Sequence, residues 1–174
     1  LIGIAAVVSL ISLGEGLRQA VTSQFDFLSP DILTVQGSGL AYGLPGSGVV
    51  TPLKEEYGKG IEKLAGVEAG IGRIVEDAVV KFGGKTHFTF VGSLPSGKKR
   101  GIVERVISLE AANGRLLRDQ DLNKIILGNH FSDKEHMGKA LQPGSKVQIQ
   151  NKEFEVVGIL EKKSNIIIDN IVMM

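Results

Sequence analysis

The sequence predicts an α+β fold, and three observations carry that expectation. A helix-start signal opens an apolar pattern at Thr51–Gly66, two strand-like runs meet across Gly83-Gly84, and a second alternating pair meets near Asn151. Thr51 is expected to cap the first of these, with Pro52 at the first helical position and Glu55 and Glu56 near the positive end of the helix dipole. Leu53, Tyr57, Ile61 and Leu64 recur at steps of three and four, which directs them inward, and Gly66 ends the helix. Val67–Phe82 alternates in parts and Thr86–Val91 follows the two glycines, the pattern of a tight hairpin.

The remaining elements follow in order. Asp31–Gln36 reads as a short strand with apolar residues on both faces, which suits a central position in a sheet. Gly37–Gly48 is rich in glycine and is expected to be a mobile loop. Ile102, Val106 and Leu109 sit at helical spacing, Asn113-Gly114 reads as a turn, Lys124–Leu127 as a strand, His130–Ala140 as a short helix and Pro143-Gly144 as a turn. Val147–Gln150 and Phe154–Ile159 alternate on both arms of a hairpin whose turn is expected at Asn151-Lys152. Ile166–Met174 is strand-like and stops without a cap or a turn signal, so it too is expected to continue in a longer protein.

The N-terminal third is built differently. Leu1–Leu13 carries no charge, and before Lys54 only Glu15, Arg18, Asp26 and Asp31 are charged. A bilayer-spanning helix needs about 20 apolar residues, so this run is too short to span but too uniform for a solvated helix end. It is expected to be the end of a transmembrane helix, continuing as one amphipathic helix through Leu10, Leu13, Leu17, Val21, Phe25 and Leu28 until Ser29-Pro30. A buried core helix is the other reading of the same run, whereas a signal peptide lacks its basic start and small-residue cleavage site here.

Composition bounds the function. The 174 residues are 43% apolar, enough to bury a core, and 20 basic against 19 acidic residues give a formal charge of +1. That balance predicts no nucleic-acid partner, which requires a clustered basic field, and Lys98-Lys99-Arg100 is expected to be a solvated loop or helix start. With no Cys, disulfides, iron–sulfur clusters and thiol catalysis are excluded. No phosphate-cradling loop occurs, since no Lys or Arg lies between Arg18 and Lys54. His130, Asp133, Glu135 and His136 fall close together but form no HExxH or paired-His motif, and they are expected on an exposed polar helix. His87 is expected on the solvent side of its strand, and Asp119 and Asp121 are at most a weak cation site. Catalytic, cofactor-binding and metal-binding residues are therefore expected to be none.

The order of segments resembles a known family. AAVVSLISLGEGLRQAV, SPDILTVQ with the glycine-rich loop after it, TPLKEEYGKGIEKLAGVEAG and VVKFGGKTHFTFVG are followed by NGRLLRDQDL, IILGNHFS, PGSKVQIQNKEFEVVGILEK and DNIVM. This combination resembles the periplasmic core domain of MacB-type ABC transporter permeases, in the MacB/FtsX-like permease superfamily, over essentially the whole chain. The resemblance implies residues 1–28 as the end of the first transmembrane helix and a stalk. It implies a porter-like α+β subdomain of residues 30–92 and 161–174, with a Sabre-like subdomain of residues 93–160 inserted in it.

The resemblance further implies a noncatalytic domain on the extracytoplasmic side of a membrane-anchored protein. It would couple ATP-driven motion of the membrane helices to export or extraction of a substrate. The implied partners are an ATP-binding subunit or domain acting through the membrane part, a second permease copy in a homodimer, and an extracytoplasmic adaptor. The alternative within the same setting is a binding module that recruits a partner such as a cell-wall hydrolase. A secreted hydrolase is disfavoured by the lack of a nucleophile and base constellation. After Val91 the chain has Ser93–Arg100 where the family commonly has an aspartate-proline turn, so the tip that would meet a partner does not carry over.

Overall fold

The computed structural model describes residues 2–25, 32–37, 51–134 and 138–174. Two compact units divide the chain, Leu1–Thr34 and Val35–Met174. In the first, helix α1 spans Ile2–Phe25. Ile4, Val7, Val8, Leu10, Ile11, Leu13 and Leu17 are all more than half exposed, so its apolar run is not buried in a core. Arg18 grips Glu15 one turn away, donating Nε to Oε2 at 2.9 Å and Nη2 to Oε1 at 2.6 Å. No helix among the described residues is long and apolar enough to cross a membrane.

The strand expected at Asp31–Gln36 is not observed in its described part. Ile32–Gln36 has no regular secondary structure and is exposed, Leu33 at 93%. Alternation defines a strand only where a neighbour accepts its ladder bonds, and no described strand pairs with this segment. The loop expected at Gly37–Gly48 lies outside the described residues beyond Gly37.

Helix α2 spans only Glu55–Ile61, with Lys54 rather than Thr51 as its N-cap residue. Gly58 and Gly60 sit inside it, and each weakens a helix by up to about 1 kcal/mol relative to Ala. The inward apolar face expected of it is not formed: Leu53, Tyr57 and Leu64 are exposed.

Strands β1 (Val75–Phe82) and β2 (Lys85–Gly92) form the expected hairpin, closing at Phe82 opposite Lys85. Gly83 and Gly84 have φ of 57° and 79°, the two positive values that a turn matching strand twist requires. Helix α3 (Lys98–Val106) follows, then β3 (Ala111–Gly114), β4 (Lys124–Leu127), β5 (Lys146–Ile149), β6 (Lys152–Leu160) and β7 (Ile171–Met173). The β5–β6 turn is Gln150-Asn151, one residue earlier than expected, because Ile149 pairs with Lys152 and the two intervening residues take φ of 47° and 67°.

The seven strands run in the order β3-β6-β4-β7-β2-β1-β5, and β5 also pairs with β6. Six of them therefore close into a barrel, with β3 appended beside the C-terminal half of β6. The β2–β7 and β4–β6 pairs are parallel and all others antiparallel. The sheet crosses residue 93, taking strands from both sides of it.

The sequences KIIL, VVGIL and IVM are apolar on both faces, as strands covered on both sides must be. Val80, Ile125, Leu127, Val147, Val156, Ile159 and Val172 form one core with Phe131 and Leu141. Ile126, Val157, Leu160, Ile171 and Met173 form a second with Leu109, Leu117 and Ile168. A bulge keeps β6 in phase with both. Ile125 pairs with Val156 and Ile126 with Gly158, so Val157 is an extra residue. Val156 and Ile159 thus share one core although they are an odd number of residues apart.

Asn113-Gly114 belongs to β3 rather than to the expected turn. Gly114 has φ of 78°, and the next residue, Arg115, donates its N–H to the Val157 carbonyl at 3.0 Å, so the glycine bends a strand edge around the bulge. The helix expected at His130–Ala140 begins as a 3-10 turn at Asn129–Ser132, and residues 135–137 lie outside those described. At the C-terminal end the expected strand shortens to β7 behind a 3-10 turn, Ile168–Asn170. There Asn165 Oδ1 accepts the N–H groups of Ile167 and Ile168 at 3.0 and 3.3 Å, and side-chain bonds of this kind favour turns over strands.

Gly128 marks the closest backbone approach between the end of β4 and the segment entering β7. A Cβ there would overlap the carbonyl oxygens of Asp169 and Ile168. Gly128→Ala is expected to destabilise the chain by about 3 kcal/mol, whereas Gly72→Ala, with no atom within 4 Å of the added carbon, stays within about 0.5 kcal/mol. Urea unfolding of the two variants measures the difference.

Candidate functional site

The polar side chains singled out in the sequence separate into three places on the Val35–Met174 unit. The first is one end of the barrel. His87 on β2 is half-buried, and its Nε2 lies 3.0 Å from Asn170 Oδ1. Its ring meets Phe131 edge-on at 5.3 Å and lies 6.4 Å from the His130 ring. Thr89, two residues along the same face and buried, donates its hydroxyl to the Asn170 carbonyl. His87 is therefore not on the solvent side as expected: β2 turns it toward the Phe131 end of the core and leaves Phe88 78% exposed outside. Among the described residues no three His, Asp or Glu side chains gather as metal ligands. Glu135 and His136 lie outside the described residues.

The second place is the loop before β4. Asp121, only 7% exposed, receives Arg115 in a two-pronged pair, Nη1 to Oδ2 at 2.5 Å and Nη2 to Oδ1 at 2.8 Å. The Arg118 N–H adds a bond at 2.8 Å and Lys124 Nζ stands 3.4 Å away. The hydrogen bonds from Arg115 hold the Asp121 carboxyl far below the usual carboxylate range, against the opposing pull of burial. Asp119 accepts the Gly97 N–H at 3.1 Å and pairs with Arg100 at 3.2 Å. Both carboxylates are engaged by protein cations and amides.

The third place is the start of α3. Lys98-Lys99-Arg100 opens the helix, as one of its two expected readings had it. Lys99 Nζ bonds Glu62 and the Gly70 carbonyl, the latter at 2.8 Å, and Arg100 Nε donates to the Pro95 carbonyl at 2.9 Å. These bonds tie the segment after α2 to α3. The hydrogen bond from Lys99 lowers the Glu62 carboxyl below its ordinary value. The sequence did not reveal the Asp121 and Glu62 pairings, since Arg115 and Lys99 reach them across turns that no periodicity marks.

In the second and third places the carboxylates are held by protein cations and backbone amides. Asp121→Asn is expected to cost about 2 kcal/mol at neutral pH by removing a charged, nearly buried hydrogen-bond acceptor. Because folding depresses this carboxyl, its stabilisation is present above the unfolded value of about 3.9 and is lost as pH falls toward the folded value. Unfolding free energies should therefore fall below about pH 4 in the unmodified chain and fall less steeply in the variant.

The sequence profile described as MacB-like periplasmic core domain matches residues 1–174. The Macrolide export ATP-binding/permease protein MacB of Marinobacter nauticus is 24% identical over 166 residues, covering 93% of this chain and 25% of that protein. The ABC transporter permease MJ1507 of Methanocaldococcus jannaschii is 26% identical over 178 residues, covering 99% of this chain and 42% of that one. This chain thus spans about a quarter to two-fifths of the length of these relatives. Among solved structures, the extracellular domain of the ABC-type transporter YknZ from Gram-positive bacteria is similar with a TM-score of 0.54 at 18% identity, over 70% of this chain and 61% of that one. The periplasmic region of MacB from Actinobacillus actinomycetemcomitans gives 0.53 at 15% identity, over 79% and 61%. Those likenesses support the mixed α and β fold, and the profile match over the full length decides the grouping: the chain belongs to the MacB-like periplasmic core domain family.

Proposed function

We propose that the chain is the noncatalytic, extracytoplasmic domain of an ABC transporter permease, and that it passes ATP-driven motion of membrane helices to a substrate outside the membrane. The match to the periplasmic core domain family over residues 1–174 carries this reading. Two features of the molecule are in keeping with it. The exposed apolar side chains of α1 are suited to lipid or to a neighbouring membrane helix. A sheet closed into a barrel has few free strand edges, which suits a part that relays displacement.

On this reading ATP is hydrolysed elsewhere, by an ATP-binding subunit or domain that acts through the membrane part. A second permease copy and an extracytoplasmic adaptor complete the assembly. The porter-like part, residues 30–92 and 161–174, and the Sabre-like part, residues 93–160, are divisions of the chain path that share one sheet.

Topology is tested with single cysteines at Glu56 and Ser96 in the full-length protein, with any cysteine outside this chain replaced, since the chain itself has none. A membrane-impermeant thiol reagent should label both in intact cells, and labelling only after lysis would contradict the extracytoplasmic placement. Coupling is tested by Leu17→Pro, which costs α1 about 3 kcal/mol at an interior helical position. ATP hydrolysis is expected to persist while substrate export is lost; unimpaired export would contradict transmission through this helix.

A further inference from the structure

Two apolar faces within the Val35–Met174 unit are uncovered, one on α2 and one on the β1–β2 hairpin. On α2, Tyr57, Ile61 and Leu64 recur at steps of four and three, and the Leu64 N–H to Ile61 carbonyl bond carries the turn on to Leu64, so the three share one side. Tyr57 and Leu64 are exposed, as is Leu53 just before the helix, and Ile61 is half-buried. A helix of seven residues with glycines at 58 and 60 is not held by its own propensity. Its stripe is what a second surface would hold.

The hairpin supplies such a surface. Val79 and Phe88 are register partners on the face opposite Ala78 and Val80, which point into the first core. Phe90, on the same face as Phe88, packs against the second core, so apolar surface runs from that core out to Phe88 and ends there in solvent. Chain path and charge both match α2 to this face. Gly70 lies against the Gly58 carbonyl and the Glu62 side chain, and Lys99 bonds Glu62 and the Gly70 carbonyl, which holds the C-terminal half of α2 beside the approach to β1. From there the helix can lie over the hairpin running opposite to β1. Tyr57 to Leu64 covers about 10 Å at 1.5 Å per residue, the length of about three strand residues. With Tyr57 over Val79 and Phe88, Leu64 reaches the Val75 end and Leu53 the Lys81 and Thr86 end. Glu55 and Glu56 then approach Lys81, and Lys63 approaches Asp77.

We propose that α2 is a lid that closes over Val79 and Phe88, antiparallel to β1. Open, as in this structure, it presents both apolar faces together; closed, it hides both.

The test traps the closed state by disulfide formation in the 174-residue chain, which has no Cys of its own. Leu53→Cys with Thr86→Cys keeps Tyr57 and Phe88 in place and is expected to bridge within the monomer when dilute protein meets copper–phenanthroline. Leu64→Cys with Thr86→Cys is expected to remain reduced, because antiparallel closure sends Leu64 to the other end of the hairpin. Adding Phe88→Ser to the bridging pair should slow its reaction about tenfold, the effect of losing one buried aromatic contact. All variants are compared with circular dichroism spectra matching the unmodified chain. No bridging of the first pair, equal bridging of both pairs, or an unchanged rate with Phe88→Ser would overturn the proposal.

Discussion

Strand β6 is the constraint on which the larger unit depends. Its first half pairs with β5, its second half with β3, and β4 lies along its other side. Remove it and the barrel opens, because β5 would be left joined only to two residues of β1. The strand serves both cores at once through the Val157 bulge: Val156 and Ile159 pack in one, Val157 and Leu160 in the other. Gly158 is required at the same place, since a Cβ there would overlap the Arg115 carbonyl. That approach also sets Arg115, whose guanidinium closes on Asp121 and so fixes the loop leading into β4. The sheet, the second core and the part-buried ion pair are therefore joined through one nine-residue strand.

This construction bears on the function proposed above. A polar group placed to react has neighbours that leave it available, whereas here Asp121, Glu62 and Asp119 are each held by cations or backbone amides. The bonding holds loops to a closed sheet. Helix α1 contrasts with that unit. Its apolar side chains are exposed and its only ion pair among the described residues is Glu15 with Arg18.

Where local chemistry decides the structure, the sequence is readable. Gly83-Gly84 between alternating runs led to the hairpin, and KVQIQNKEFEVVGIL led to the second one with its turn displaced by a single residue. Lys124–Leu127 was legible because four residues bounded by polar ones can form little but a buried strand. Structure departs from local pattern where a long-range partner decides. Asn113-Gly114 has the composition of a hairpin turn, yet the carbonyl of Val157 makes it a bent strand edge. Thr51-Pro52 has the composition of a helix start, and the helix begins later, at Glu55. Of the polar places, Lys98–Arg100 opens a helix, one of the two readings its sequence allows, but its partner Glu62 and the seat of His87 against Asn170 depend on tertiary placement. Barrel closure was not legible at all, since nothing in β5 or β1 alone specifies that the two should meet.

The central claim is that the Val35–Met174 sheet behaves as one rigid body, as relaying motion requires. Native-state hydrogen exchange of the 174-residue chain tests it most directly. Amides of β1, β2, β4, β6 and β7 are predicted to exchange with a common opening free energy equal to that of global unfolding. Exchange of the β1–β2 hairpin through a separate, lower-energy opening, while β4, β6 and β7 stay protected, would contradict the account.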